Sequence, residues 1–138
     1  MPFVLDASIA ACWAFADEDH PVAALALERM RTDTALVPSL WWFELRNTLI
    51  VSGRRGRLTE TDTALFLREI ARLPITADRS PGEAAVLMAA RQHRLTVYDA
   101  SYLELAQREG VPLATLDGDL RRAAKAARIS LLEARSSE

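Results

Sequence analysis

Three apolar segments of this chain run directly into an acidic residue. FVLDAS brings Asp6, TVYDAS brings Asp99, and LATLDGD brings Asp117. An ionised carboxylate beside a buried segment costs free energy unless a hydrogen-bond donor or a cation compensates it. The repeated placement marks these aspartates as candidates for a site that uses negative charge.

A fourth acid, Glu44, lies within the helical pattern WWFELRNTL. At roughly 3.6 residues per turn it shares a stripe with Leu40, Asn47 and Val51, which predicts that its carboxylate leans toward the packed side. Four carboxylates near one edge of a sheet would repel one another, and a divalent cation would relieve that repulsion. Mg²⁺ and Mn²⁺ prefer carboxylate oxygens, whereas neither histidine lies near these motifs, which disfavours zinc at this site.

Each of these acids also has a purely structural explanation. Asp6 could cap the helix that follows it, and Asp99 could form a capping box with Thr96. Asp117 could be a turn residue. Glu44 could simply lie in the first turn of a helix, where the helix dipole favours an acid.

The elements that must position the acids alternate between short strands and helices. Apolar runs predict strands near 3–5, 35–37, 75–77, 113–116 and 130–132. Helical spacing predicts helices near 7–16, 20–31, 40–52, 59–73, 80–93, 98–109 and 119–127. This alternation indicates the α/β class, with a parallel sheet covered on both faces. Ligands of such sheets bind beyond the carboxyl ends of the strands.

Several of these helices carry start signals. Ser39 and Thr59 are predicted to cap the helices that follow them. In the segment SPGE, Ser80 at the N-cap, Pro81 at the first helical position and Glu83 closing a capping box together predict a helix start.

Composition limits the class of protein. The chain has 138 residues, of which 50% are hydrophobic and 26% charged, as expected for one soluble domain over 1–132 with a polar tail at 133–138. Its longest apolar stretch, Ile9–Ala16, is too short to span a membrane. No basic segment precedes Asp6, so we expect no secretory signal and a cytoplasmic location. Cys12 is the only cysteine, which excludes an internal disulfide and a cysteine-cluster metal site.

The four acidic motifs together resemble those of the PIN-domain ribonucleases, most closely the VapC-type toxins of bacterial toxin–antitoxin pairs. FVLDAS resembles the first strand of the family with its aspartate, and FELRNTL resembles the E-x-x-N-x-L helix. TVYDASYLELA is similar to the signature Y-D-A-x-Y-x-x-L-A, and LATLDGDL supplies T-x-D through Thr115 and Asp117. The resemblance covers nearly the whole chain. It implies a PIN-like three-layer α/β/α fold around a parallel sheet of four to five short strands.

The resemblance also implies an activity and its residues. It implies hydrolysis of RNA phosphodiester bonds with Mg²⁺ or Mn²⁺, leaving a 5′-phosphate and a 3′-hydroxyl. The implied metal-binding acids are Asp6, Glu44, Asp99 and Asp117. Asp119 could assist Asp117 or merely begin the next helix. The implied supporting residues, which would orient the carboxylates, are Ser8, Asn47 and Thr115.

Partners follow from the same resemblance and from the surface. The family implies a cognate antitoxin and a homodimer. Aromatic residues that could line an antitoxin groove, or pack into the core or a dimer seam, are Trp13, Phe15, Trp41, Trp42 and Phe43. The net charge of −2 does not by itself indicate nucleic-acid binding. In the basic turn SGRRGR, however, Arg54, Arg55 and Arg57 could contact RNA phosphates or form a plain solvated loop.

Other classes remain as alternatives. A PIN-domain nuclease of RNA processing would need no antitoxin. A phosphoacceptor signalling domain would need an aspartate near the middle of the chain and a lysine at a late strand end, but 34–61 contain no aspartate and Lys125 lies in a helical pattern. A haloacid-dehalogenase phosphatase would carry a motif like Asp117-Gly118-Asp119 at its beginning rather than near its end.

Overall fold

The computed structural model describes residues 1–133, which form seven helices and one four-stranded sheet. The strands are β1 (Phe3–Leu5), β2 (Ala35–Pro38), β3 (Ile75–Asp78) and β4 (Leu113–Ala114). The helices are α1 (Ala7–Cys12), α2 (Pro21–Arg29), α3 (Trp41–Arg54), α4 (Glu60–Ile70), α5 (Glu83–His93), α6 (Val97–Glu109) and α7 (Gly118–Ala126). The helices of these described residues lack the length and the apolar character that a membrane span requires.

All strand pairs in the sheet are parallel, in the order β3-β2-β1-β4. Helix α6 packs against β1, β2 and β4 and is flanked by α5 and α7, while α1 packs against α2 and α3. The predicted α/β/α fold with a central parallel sheet is therefore confirmed. Because every strand in such a sheet points the same way, the residues that follow β1, β2 and β4 meet at one edge.

Strand β1 lies inside the sheet and is wholly apolar. Phe3, Val4 and Leu5 are fully buried, and each such side chain contributes roughly 1.5–3 kcal/mol by leaving water. A strand covered on both faces shows a continuous apolar run instead of alternation. The first polar residue, Asp6, therefore lies where the covered part of the strand ends.

Helix α1 and the last predicted strand are shorter in the structure than the sequence predicts. Helix α1 ends at Cys12 instead of residue 16, because the next residues form tighter turns, such as the bond from the Phe15 N–H to the Cys12 carbonyl at 3.2 Å. The indole Nε1 of Trp13 donates to the carbonyl of Ala23 at 2.9 Å, which joins this turn to α2. Near the C-terminus, the strand predicted at 130–132 is reduced to a single bridge with β4. Residues 134–138 of the predicted tail lie outside the described part.

The predicted start of α5 is also wrong. Gly82 is the N-cap, no side chain caps the helix, and Ser80 lies outside it. The N–H of Gly82 instead donates to Oε1 of the buried Glu104 at 3.2 Å, and a Cβ at this glycine would lie only 3.1 Å from that oxygen. Arg108 holds Glu104 at 2.8 Å and also pairs with Asp78. A long-range ion cluster thus replaces the local capping box.

Of the other predicted helix caps, one is confirmed and one is wrong. Thr59 caps α4 as predicted, and Asp62 completes a capping box. Ser39 does not cap α3, whose N-cap is Leu40 and has no side-chain bond. Gly110, in the left-handed region at φ 65°, ends α6 where the sequence predicts a stop.

Candidate active site

Asp6 is held at the carboxyl edge by residues that follow the neighbouring strand. The parallel pairing of Leu5 with Ala114 places Asp6 beside Thr115. The hydroxyl groups of Thr115 and Ser8 donate to Oδ2 of Asp6 at 2.6 and 2.7 Å. Neither hydroxyl occupies Oδ1, and the side chain makes no capping bond to α1. The capping explanation for this acid therefore does not account for its contacts.

The same two hydroxyl groups tie Asp6 to the segment after β4. The hydroxyl of Ser8 accepts the N–H of Leu116 at 3.1 Å, and that of Thr115 accepts the N–H of Asp117 at 3.0 Å. Each hydroxyl group therefore donates its hydrogen to the Asp6 carboxylate and accepts a hydrogen bond from a backbone N–H of the segment after β4. The position of Asp6 is thus fixed relative to Asp117.

Burial sets the electrostatics of Asp6, which is 6% exposed. Loss of hydration raises the pKa of its carboxyl, and the nearby charge of Asp117 raises it further. The hydroxyl groups of Thr115 and Ser8 oppose this shift by stabilising the carboxylate.

Glu44 enters the site from the first turn of α3, which follows β2. It is half-buried, and Oε1 accepts the phenol of Tyr102 on α6 at 2.6 Å. Burial raises the pKa of Glu44, and the charges of Asp6 and Asp99 add to the shift while the Tyr102 bond lowers it. Tyr102 is fully buried. Sequence reasoning missed its contact with Glu44, although Tyr102 belongs to the TVYDASYLELA motif.

Asp99 lies in the first turn of α6. The hydroxyl of Thr96 caps this helix by accepting the N–H of Asp99 at 3.1 Å, but the carboxylate of Asp99 accepts no hydrogen bond from the residues described. The capping box is therefore only half formed. Burial raises the pKa of Asp99 to about 6, with further contributions from the charges of Asp117, Asp6 and Asp119.

Asp117 and Asp119 differ in their surroundings. Oδ2 of Asp117 accepts the N–H of Leu120 at 2.9 Å, so this acid is the N-cap of α7 as well as a neighbour of the other acids. The side chain of Asp119 is 71% exposed and pairs with Arg122 at 3.0 Å. Both charges nevertheless act on Asp99.

The structure thus brings the predicted acids into one electrostatic group at the carboxyl edge of the sheet. Among the residues described, no three of their carboxylates place oxygens within 4.8 Å of one another. The carboxylates are thus separated from one another, but the charge of one acid still raises the pKa of its neighbours. The acids and the hydroxyl groups that bind them offer oxygen atoms, which suit a hard divalent cation.

The remaining predicted residues are exposed on α3 and on the turn that follows it. Asn47 is exposed on α3, without a side-chain hydrogen bond in the described part of the chain. Arg54 and Arg55 are exposed at the end of α3 and make no ion pair with the described residues. Arg57 instead pairs with Asp17 at 3.3 Å and Glu18 at 3.5 Å.

The aromatic residues predicted to line a groove or the core differ in their exposure to solvent. Trp41 and Phe15 are buried, which places them in the packed part of the domain. Trp42 and Phe43 are 52% and 69% exposed on α3. These two rings pack edge-on against each other with centroids 5.0 Å apart, and the guanidinium of Arg46 lies 3.9 Å from the centroid of Trp42.

Removing the Tyr102 phenol is expected to change the titration of Glu44. In Tyr102→Phe the carboxylate loses a short bond, so we expect its pKa to rise and the free energy of unfolding at neutral pH to fall by about 1–3 kcal/mol. Carboxyl NMR titration and chemical denaturation measure the two effects. Tyr98→Phe, at a 64% exposed position, is the matched control. An unchanged Glu44 titration in Tyr102→Phe would show that this hydrogen bond does not tune the acid.

Comparison with known proteins agrees with this architecture. The family model for the PIN domain matches residues 3–126. Over 124 residues, 87% of this chain and 92% of the relative, the sequence is 33% identical to Ribonuclease VapC3 of Pyrobaculum aerophilum.

Solved structures show the same fold. PAE2754 from Pyrobaculum aerophilum superposes with a TM-score of 0.71 at 23% identity, covering 89% of this chain and 84% of that one. VapBC2 from Rickettsia felis, solved bound to a DNA fragment from its promoter, gives a TM-score of 0.65 at 16% identity, covering 95% and 97%.

Proposed function

The chain belongs to the PIN-domain family, and we propose that it is a metal-dependent ribonuclease, the toxin of a toxin–antitoxin pair. The observation that carries the proposal is the group of acids at the carboxyl edge, in which Asp6, Glu44 and Asp99 all have raised pKa values. Perturbed acids gathered at one edge are typical of a site that does chemistry. The name of the relative, Ribonuclease VapC3, supports RNA as the substrate.

The acids suit Mg²⁺ or Mn²⁺. Asp6, Glu44, Asp99 and Asp117 would hold the ion, with Asp119 as an additional oxygen donor. Burial and mutual repulsion make Asp6, Glu44 and Asp99 stronger partners for a cation than isolated surface acids. When bound, the cation supplies positive charge that polarises the phosphate and lowers the pKa of a water molecule.

The protein contributes the geometry of these acids. Ser8 and Thr115 orient Asp6, and Tyr102 orients Glu44, through hydrogen bonds of 2.6–2.7 Å. Such outer bonds keep ligand side chains in one rotamer, so that little reorganisation is needed when substrate arrives. The bonded Oδ2 and Oε1 leave the second oxygen of each acid outside these contacts.

An RNA cleavage assay tests the proposed activity. The purified protein should cut RNA with Mg²⁺ or Mn²⁺, stop in excess chelator, and recover when the cation returns. Direct hydrolysis requires no attack by the 2′-hydroxyl, so the products should carry a 5′-phosphate and a 3′-hydroxyl. Chelator-resistant cleavage, or products with cyclic phosphate ends, would contradict the metal mechanism.

Arg54 and Arg55 are proposed to contact RNA phosphates. In the variant with alanine at both positions we expect weaker RNA binding, and a salt dependence of log affinity that is shallower by about 0.7 for each lost contact. Fluorescence anisotropy with catalytically inactive protein at several salt concentrations measures both. Alanine at Arg31 and Arg91, which are also exposed, removes the same charge elsewhere. Equal losses in the two double variants would mean a general charge effect.

A cognate antitoxin and a homodimer complete the proposal. The exposed Trp42 and Phe43 offer apolar surface of the kind that receives an amphipathic helix. A solved toxin–antitoxin complex from Klebsiella pneumoniae, to which this chain is similar with a TM-score of 0.53 at 18% identity over 83% of this chain and 85% of that one, supports a partner of this class. A small open reading frame upstream whose product co-purifies with this chain and blocks cleavage would support the antitoxin. A nuclease of RNA processing would have no such product.

A further inference from the structure

A second group of metal-ligating side chains lies outside the acidic site, at the connection between α1 and α2. Cys12 is the last residue of α1, Glu18 lies in the connection, and His20 is the N-cap of α2. The Cys12 sulfur, a Glu18 carboxylate oxygen and a His20 ring nitrogen all lie within 4.8 Å of one another. Among the residues described, this is the one group of three metal-ligating side chains that meets this distance.

We propose that Cys12, Glu18 and His20 form a second metal site for a transition-metal ion of the Zn²⁺ type. Thiolate sulfur and imidazole nitrogen favour Zn²⁺ over Mg²⁺ and Mn²⁺, which prefer oxygen. A thiolate and a carboxylate also balance the charge of a divalent ion. Three protein ligands leave one tetrahedral position for water, and the exposure of His20 opens the site on that side.

The surroundings allow metal to enter without rebuilding the fold. The Cys12 thiol donates to the carbonyl of Ser8 at 3.3 Å, and burial together with the adjacent carboxylate of Glu18 raises the pKa of the thiol. Arg57 lies 3.5 Å from Glu18 but also contacts Asp17 at 3.3 Å, so it retains an acidic partner if Glu18 turns to the metal. A bound ion would join the end of α1 to the start of α2.

Titration with Co²⁺, a spectroscopic substitute for Zn²⁺, tests the site. Untagged, chelator-treated full-length protein should develop a thiolate-to-cobalt charge-transfer band, which Zn²⁺ abolishes by displacing Co²⁺ and which excess Mg²⁺ leaves unchanged. Because Cys12 is the only cysteine, the band reports on this site alone. Absence of the band in the parent protein would overturn the proposal.

Variants separate a three-ligand site from a metal adduct of one thiol. Cys12→Ser should abolish the band, while His20→Ala and Glu18→Gln should each weaken Co²⁺ binding by at least about tenfold. His93→Ala, at the other histidine, should develop the charge-transfer band at the same Co²⁺ concentrations as the parent. Circular dichroism checks that every variant is folded. Parent-like affinity in folded His20→Ala and Glu18→Gln would show a lone-thiol adduct and overturn the site.

Discussion

Asp99→Asn is expected to abolish RNA cleavage without disturbing the fold. The amide keeps the shape of the side chain but removes the charge that would bind the cation. Its carboxylate accepts no hydrogen bond from the residues described, so no such structural contact is lost with it. Loss of an outer-shell partner alone can lower the activity of a metal site ~10–100-fold, and loss of a ligand should exceed that. Single-turnover cleavage of labelled RNA measures the change.

Two controls sharpen this result. Asp19→Asn removes one charge at an exposed position on the α1–α2 connection and should retain full cleavage. Asp6→Asn should be inactive like Asp99→Asn. Asp117→Asn is a less specific test, because the change affects both the proposed metal ligand and the N-cap of α7. Full cleavage by folded Asp99→Asn would contradict the assignment of this acid.

The sequence predicts where each acid lies because the pattern that places it in its own element is local. Asp6 follows a continuous apolar run, which fixes it at the end of a covered strand. The parallel sheet then brings Thr115 and Asp117 to the same edge. Helical spacing also predicts that Glu44 leans toward the packed side. Glu44 is half-buried and bonded to Tyr102, whereas Asn47 of the same stripe is exposed.

The features that the sequence does not predict depend on contacts between distant residues. The start of α5 depends on Glu104, which lies 22 residues beyond Gly82 and is held by Arg108. No local pattern predicts that Glu104 binds the N–H of Gly82. The capping signal of Ser80 instead predicts a helix start two residues too early. The approach of His20 to Cys12 depends on α1 ending early, in a stretch where continuous apolar residues predict more helix.

The acidity of Asp99 gives the metal-free protein a defined pH dependence. Its pKa is raised from an ordinary 3.8 to about 6, so between these values the folded chain holds a proton that the unfolded chain has lost. The stability contribution is therefore fully present below about pH 4 and is lost as the pH rises through 6. Because Asp99 is partly exposed, screening reduces the contribution to the order of 1 kcal/mol. Asp99→Asn should flatten this part of the profile.

At neutral pH without metal, Asp99→Asn should be at least as stable as the parent, since it removes one charge from a group of mutually repelling acids. The helix dipole acts in the opposite direction, because an acid in the first turn of α6 contributes about 0.3–1 kcal/mol. Burial and the charges of Asp117, Asp6 and Asp119 raise the pKa of Asp99, and we expect their effect on stability to exceed that of the dipole. If Asp99 were only a helix-start acid, the variant would instead melt at a lower temperature.

Added Mn²⁺ is expected to raise the melting temperature of the parent protein more than that of Asp99→Asn. A ligand that binds only the folded state stabilises it by about 2.7 kcal/mol at a hundredfold excess over its dissociation constant, which in a domain of this size raises the melting temperature by roughly 5–10 °C. The parent should show this rise, and Asp99→Asn should show much less. Thermal melts with chelator and with Mn²⁺, repeated in a Cys12→Ser background so that the second site cannot contribute, measure the effect. A parent that ignores Mn²⁺ beside a destabilised Asp99→Asn would mean that this acid serves the helix and not a metal.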